Sequence, residues 1–358
     1  MKLKLIDTSA VLHSGDALFP NFGIGTIGIK SNKGNDFAFP TGAMYSVLAL
    51  FKKKGFIHID NTKEEDIVFC FDRKSNRKKE DSTYKANRKG NSGILFQSIE
   101  LEKGLANMGF NTMAVEGLEA DDLIYSLVNK YYNQYDSIEI YGTDRDLAAL
   151  VDRKVQFIST NKNVPSIDIN NFETKTIPGF QLPYNSIYLY KILFGDTSDT
   201  IQPAINRDTK GKAFFYNTIN KVAKIGYTGQ KLNSVDFINA VIKSIKDPSL
   251  RQVLVSNANK VLPRYVDLTI KPTILNEGEM IVFLSTFKMK SIAKRFNVFY
   301  DKDIGYEYIN ELAYKFVEYK AQKDANNAQK AMQSTGTDYS TKEIDDFSEE
   351  LKSVEKLF

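Results

Sequence analysis

Three apolar runs in this chain end in a carboxylate, and that recurrence restricts the folds open to it more than any other feature. Leu3 to Ile6 closes on Asp7, Ile67 to Phe71 closes on Asp72, and Ile138 to Tyr141 leads through Gly142 and Thr143 to Asp144. Ile67 to Phe71 is uninterrupted, the mark of a strand that is covered on both faces, and the other two runs also read as strands. Helical patterns lie between them. Met44, Val47, Leu48 and Phe51 follow Pro40-Thr41-Gly42 at helical spacing, a second pattern runs from about Ile94 to Met108, and a third opens at Glu119. This alternation predicts an α/β fold, a mainly parallel central sheet flanked by helices. In such sheets ligands bind beyond the carboxyl ends of the strands. Asp7, Asp72 and Asp144 are therefore expected to converge on one edge.

The remaining segments are less regular. Residues 15–40, rich in Gly, Asn, Phe and Pro, read as a long loop, and short strands are expected at Thr112–Val115 and Val155–Ser159. After residue 200 the patterns become helical, near 212–225, 234–246, 248–261 and 286–296. From about Ala321 the chain turns to Gln, Asn, Ala, Ser, Thr and Gly, a composition expected of a flexible linker. The predicted organisation is a core at 1–200, a helical unit at 201–320, and a linker with an acidic tail at 321–358. Length 358 is enough for two packed units. A single cysteine, Cys70, excludes an internal disulfide and fits a reducing, cytoplasmic setting, and no apolar run approaches the ~20 residues of a membrane span.

The acidic residues gather in a pattern that asks for a cation. Glu119, Asp121 and Asp122 open a helix, Asp144 and Asp146 follow a strand, and Asp196 and Asp199 stand three apart after Leu193-Phe194-Gly195. Any one of these reads as a cap or a turn residue. As a set with Asp7 and Asp72 they would repel one another without a cation between them. With only His13, His58 and Cys70 as soft donors, zinc or iron is disfavoured, and an all-oxygen set suits Mg²⁺ or Mn²⁺. Two such ions about 4 Å apart are a known device for phosphodiester hydrolysis. The net charge of +4 decides little, but its distribution does. Arg73, Lys74, Arg77, Lys78, Lys79, Lys85, Arg88 and Lys89 face only Glu80 and Asp81 in one stretch directly after Asp72. Such a run is commonly a solvated loop; beside an acidic cluster it is expected to meet a phosphate backbone, with Tyr84 able to stack on a base.

At these residues the chain resembles the structure-specific 5′ nucleases, the 5′→3′ exonuclease and flap endonuclease family, and most of all its bacteriophage members and the 5′-nuclease domain of bacterial DNA polymerase I. The matching stretches are Leu5-Ile6-Asp7, Pro40 to Tyr45, Phe71-Asp72, Tyr84 to Arg88, Leu118 to Asp122, Gly142 to Asp146, Leu193 to Asp199 and, later, Arg264 to Leu268. The resemblance implies a Mg²⁺-dependent enzyme with a PIN-like core. One ion would be held chiefly by Asp7, Asp72, Glu119, Asp121 and Asp122, and the other by Asp144, Asp146, Asp196 and Asp199. It implies that Lys85 and Arg88 belong to a helical arch near 73–93 that admits a single-stranded 5′ end and steadies the scissile phosphate. The family's glycine-rich hairpin, often a potassium site, is reduced here to a run with one glycine, so duplex contact is expected from Arg207, Lys210 and Lys212. Implied partners are DNA with a 5′ flap, nick or single-stranded 5′ end, and RNA–DNA hybrid.

The tail at 343–358, with Phe347, Leu351, Val354, Leu357 and Phe358, is open to two readings: a docking segment for a sliding clamp or single-strand-binding protein, or a frayed end. Two rivals to the nuclease reading remain in view, a non-catalytic DNA-structure binder of the same fold and a single-strand ribonuclease. No membrane association is expected.

Overall fold

The computed structural model describes residues 1–18, 23–24, 39–54, 65–87, 92–177, 179–182, 186–223 and 235–334. Arg88, Lys89, His58, most of the 15–40 stretch and the tail at 343–358 lie outside the described residues. Strands β1 (Lys2–Asp7), β4 (Glu65–Cys70), β5 (Asn111–Met113), β6 (Ser137–Gly142) and β7 (Val155–Ser159) form one sheet in the order β5-β4-β1-β6-β7. Strands β2 (Gly23–Ile24) and β3 (Phe39–Pro40) make a separate antiparallel pair. By its internal contacts the chain divides into two units: Met1–Asp7 with Asp72–Lys89 and Met113–Thr269, and Thr8–Phe71 with Gly90–Thr112 and Ile270–Phe358. Among the described residues no helix is long and apolar enough to cross a membrane.

In the first unit β1 pairs parallel with β6 and β6 with β7, so that Leu3 faces Ile138 and Leu5 faces Ile140, while Ile138 faces Val155 and Ile140 faces Phe157. All of these side chains are fully buried. The polar residues between them, Lys4, Glu139 and Gln156, give these three strands an alternating pattern. Parallel pairing brings the carboxyl ends of β1 and β6 to the same edge, which places Asp7 beside Gly142: a Cβ on that glycine would lie 3.4 Å from the Asp7 Cβ.

Among the described residues, five of the unit's eight helical pieces position the site: α3 (Asn76–Glu80), α5 (Ala120–Tyr131), a 3₁₀ turn (Arg145–Leu150), α7 (Ile187–Phe194) and α10 (Pro248–Val261). The others are α6 (Phe172–Lys175), α8 (Thr209–Ala223) and α9 (Val235–Ser244), with a turn at 82–87 after α3. The α5 face made by Leu123, Ile124, Leu127 and Val128 is buried, and each such side chain contributes about 1.5–3 kcal/mol. Phe180, Tyr190, Phe194 and Phe215 pack edge to face or tilted, with centroids 5.0 Å apart for Phe180 and Tyr190, and so join α7 to α8. Helix α7 stops at Gly195, whose φ of +74 suits glycine, and the chain doubles back so that Asp196 and Ile201 exchange both backbone hydrogen bonds. From α10 the buried Asn257 amide donates to the Ile192 and Gln202 carbonyls, 2.9 Å each, and braces this turn from behind.

The second unit contains α1 (Thr8–Leu18), α2 (Gly42–Lys54), α4 (Ser92–Asn107), α11 (Glu277–Thr286), α12 (Lys290–Phe296) and α13 (Tyr306–Ser334). Phe39, Phe96, Phe287 and Phe316 form its aromatic centre. Two expectations are corrected here. Residues 15–18, read as loop, belong to α1; Gly15 lets α1 touch α2, since a Cβ there would lie 2.4 Å from the Ser46 Cβ. Helix α13 continues to Ser334, beyond Ala321 where a linker was expected, because Ala, Gln, Lys and Met are good helix formers despite their low apolar content.

The turn after α7 makes one clear demand. Gly195→Ala would put a Cβ 2.6 Å from the Ile201 carbonyl oxygen at a positive φ. The substitution should cost about 1–3 kcal/mol for the backbone conformation alone, read as a lower urea midpoint; an unchanged midpoint would show that the turn relaxes freely.

Candidate functional site

The site lies within the first unit and is built from two acidic groups and the cations folded between them. The first group belongs to the start of α5. Glu119 caps the helix and Asp122 reaches back, its Oδ2 accepting the Glu119 backbone N–H at 3.1 Å. Carboxylates here also meet the positive end of the helix. Asp72, following β4, accepts the Ala120 N–H at 2.7 Å, so it is tied to the same helix start.

Arg77, expected among the nucleic-acid contacts, is placed differently. Its side chain is 2% exposed, and its guanidinium bridges Glu119 at 2.9 Å and Asp122 at 3.0 Å and donates to the Leu262 carbonyl. The Arg264 N–H also donates to Asp122, at 2.7 Å. Arg77 is thus an internal counter-charge, unavailable to a phosphate. Lys74 is buried too, while Lys79 is exposed and Arg73 and Lys78 are half-buried. Lys85 lies in the 82–87 turn at φ +51, its ammonium 2.9 Å from Glu119 and its N–H donating to the Asp199 carbonyl. The Tyr84 hydroxyl donates to Glu119 at 3.0 Å.

The second group follows β6 and α7. Asp144 caps the 3₁₀ turn by accepting the Asp146 N–H at 2.9 Å. Asp146, Asp196 and Asp199 each offer a carboxylate oxygen within 4.8 Å of the others. Lys191, from α7, bridges Asp146 and Asp196. Asp196 also accepts from the Ser198 N–H and hydroxyl. A narrow cleft is lined by members of both groups, Asp121, Asp146 and Asp199, with Tyr84, Tyr188, Lys191 and Lys260.

The electrostatics follow from crowding. Burial, then Glu119 and Asp122, hold the Asp121 carboxyl well above the usual carboxylate range. Burial and the neighbouring Asp144 push Asp146 up to about 7. Burial opposes the charge on Glu119, yet Lys85 and Arg77 keep it below its ordinary value. Burial likewise works against Lys191, and Asp146, Asp144 and Asp196 outweigh it and hold the ammonium charged. A site in which two carboxyls are raised for want of positive charge is one that a hard cation fits. Asp146, Asp196 and Asp199 are the described residues whose oxygens already converge for it.

Of the other residues singled out in the sequence, Asp7 is buried at the β1 end. Arg207 donates to the Tyr190 hydroxyl at 2.6 Å, and Lys210 and Lys212 are exposed in the first turn of α8. The single glycine there, Gly211, allows a tight backbone approach: a Cβ would fall 1.8 Å from the Asn206 oxygen. Lys191, Tyr188 and Asn257 escaped the sequence reading. A lone lysine in the otherwise apolar Ile187–Phe194 helix was the available signal, because a buried lysine needs an acid partner.

The chain is similar to several known proteins. Residues 2–176 match the family model of the 5'-3' exonuclease, N-terminal resolvase-like domain. The chain is 28% identical over 242 residues to a 5'-3' exonuclease of Buchnera aphidicola subsp. Schizaphis graminum, covering 66% of this chain and 77% of that one. It is 27% identical over 305 residues to DNA polymerase I of Caldicellulosiruptor bescii, covering 82% of this chain and 33% of that one. A distant structural likeness is to the T5 D15 protein co-crystallised with metal ions, with a TM-score of 0.48 and 14% identity over 89% of this chain and 99% of that one.

The buried ion pairs generate a stability test. Arg77→Met removes the guanidinium while keeping much of its volume, and leaves Asp122 without a cation and Glu119 with Lys85 alone. A loss of about 3–5 kcal/mol is expected from the cost of breaking a buried pair, read by urea unfolding; a loss under about 1 kcal/mol would mean that the two carboxylates reach water.

Proposed function

We propose, from the chain's membership of the 5′-3′ exonuclease family, that this metal-dependent nuclease is a two-ion, Mg²⁺-using 5′→3′ exonuclease and flap endonuclease acting in phage-type DNA replication. The observation that carries the reading is the convergence of Asp146, Asp196 and Asp199 within 4.8 Å, in a cleft shared with Asp121 and flanked by Lys85. Asp144, Asp146, Asp196 and Asp199 would hold one ion, and Asp7, Asp72, Glu119, Asp121 and Asp122 the other. Manganese, also a hard oxygen-seeking ion, would substitute. Bound divalent ions supply charge neutralisation at the phosphodiester and a more acidic water.

The chain's own residues do the rest. Lys191 sets the spacing of Asp146 and Asp196, and Tyr84 orients Glu119 through its hydroxyl. Lys85 ends in the same cleft region and can turn from Glu119 to a non-bridging phosphate oxygen, where an ammonium opposes the charge that develops during cleavage. Arg88 joins it in this role. The cations of the 73–89 stretch that are not already paired internally would hold the single-stranded 5′ end. The exposed Lys210 and Lys212, with Arg207, would meet the duplex backbone. In this reading 1–200 carries the chemistry and 201–320 grips duplex DNA. Substrates include a 5′ flap, a nick, a single-stranded 5′ end and RNA–DNA hybrid, in the host cytoplasm. Residues 343–358 are proposed to engage a sliding clamp or a single-strand-binding protein.

Incubating a 5′-flap DNA with the protein and Mg²⁺ should give cleavage near the junction that chelation abolishes. Asp144→Asn should lose it, and Lys85→Ala should lower kcat by about 10²-fold with binding of the flap largely kept. Flap binding without any turnover in Mg²⁺ or Mn²⁺ would overturn the reading in favour of a non-catalytic binder, and a preference for plain single-stranded RNA would overturn it in favour of a ribonuclease. Removing residues 343–358 should abolish stimulation by the clamp while intrinsic cleavage persists; undiminished stimulation would dispose of the tail's role.

A further inference from the structure

The second unit contains a cavity that the nuclease reading does not use. It has a volume of about 400 Å³ and lies between α4, α11 and the entry to α13. Its walls include Phe283, Phe287, Ile304 and the ring of Tyr308. Two glycines permit the walls to approach as they do. A Cβ on Gly104 would lie 2.0 Å from the Phe283 ring, and one on Gly305, at φ +78, would lie 2.3 Å from the Thr286 hydroxyl oxygen. The space is thus built by close backbone approach, and its size suits a small organic ligand.

One charged group is sunk into these apolar surroundings. Glu100, on α4, is 3% exposed and lines the cavity. Its Oε2 accepts the Tyr308 hydroxyl at 2.7 Å, but its Oε1 is buried and has no hydrogen-bond partner among the described residues. A carboxylate oxygen left so is expensive to bury. Burial raises the Glu100 pKa, against the Tyr308 hydroxyl and the charges of Lys103 and Lys315. Of the other charged lining residues, Lys103 is exposed and Glu279 half-buried, and they are opposite in sign, so the buried carboxyl sets the polarity of the interior.

We propose that this cavity binds a small organic cation, an ammonium or amidinium carried on an aromatic or short alkyl body. The cationic head donates to Glu100 Oε1, and the body lies among Phe283, Phe287 and Tyr308, whose rings also favour positive charge at their faces. The class excludes anions, which Glu100 would repel, and neutral apolar molecules, which would leave Oε1 unpaired.

Titration calorimetry of the full chain with benzamidine tests this, with benzamide and benzoate as neutral and anionic relatives. Benzamidine should bind saturably at one site, with benzamide and benzoate at least about tenfold weaker. Glu100→Gln keeps the shape and should weaken benzamidine at least tenfold. Val282→Trp, placed on the exposed rim of the cavity, should fill it and abolish binding while flap cleavage is kept, which shows that the chain is folded. Absence of saturable binding, equal affinity for benzamide, or binding that survives both substitutions and so belongs to the acidic cleft, would each overturn the proposal.

Discussion

Carboxylates gathered at the ends of parallel strands repel one another, and the first unit holds them together because three cations are folded in among them. Two like charges 4 Å apart cost roughly 4 kcal/mol at the effective dielectric of a protein surface. A few such pairs would rival the entire stability of an ordinary domain, about 5–15 kcal/mol. Arg77 answers Glu119 and Asp122, Lys85 answers Glu119, and Lys191 answers Asp146 and Asp196. The sheet, the helix start and the turn after α7 can all be as they are only once that balance is met.

The cations are of two kinds. Arg77 is a planar fork engaged on both nitrogens, almost wholly buried, and bound in addition to the Leu262 carbonyl. It fixes the α5 start to the chain near residue 262 and has no freedom left. Lys85 and Lys191 are point charges on flexible stems, 18% and 11% exposed, at the cleft. An ammonium on such a stem can exchange partners without disturbing the backbone, whereas a bidentate guanidinium cannot. The division separates what keeps the unit folded from what is free to respond to a substrate.

Much of this was legible in the sequence, for identifiable reasons. Strand-end aspartates announce themselves because each follows a short, mainly apolar run, unbroken in Ile67–Phe71, and the charge that ends it stands out. The sheet with its helical flanks and the acidic helix start at Glu119 follow from the same contrast. Arg77 was misread because a run of cations looks solvated whether or not one member folds inward; only Glu119 and Asp122, far off in sequence, decide its place. Lys191 was hidden by the reverse effect, a charge lost within an apolar helix. Asn257 carries no signal, since an amide that braces two carbonyls looks like any polar helix residue. Gly15 read as punctuation and proved to be a helix contact.

The basic segment is fastened by backbone as well as by side chains. The Arg73 and Asn76 N–H groups donate to the Leu118 and Gly117 carbonyls, and the Lys85 N–H donates to the Asp199 carbonyl. Main-chain anchors are indifferent to side-chain identity but not to spacing. Between them, an exposed uncharged position such as Ser82 can drift freely in a lineage without moving Lys85, while a one-residue insertion or deletion would pull it out of register with both acidic groups. The segment is therefore a ruler: outside Arg77, Tyr84, Lys85 and its exposed cations its composition is open to evolution, and its length is not.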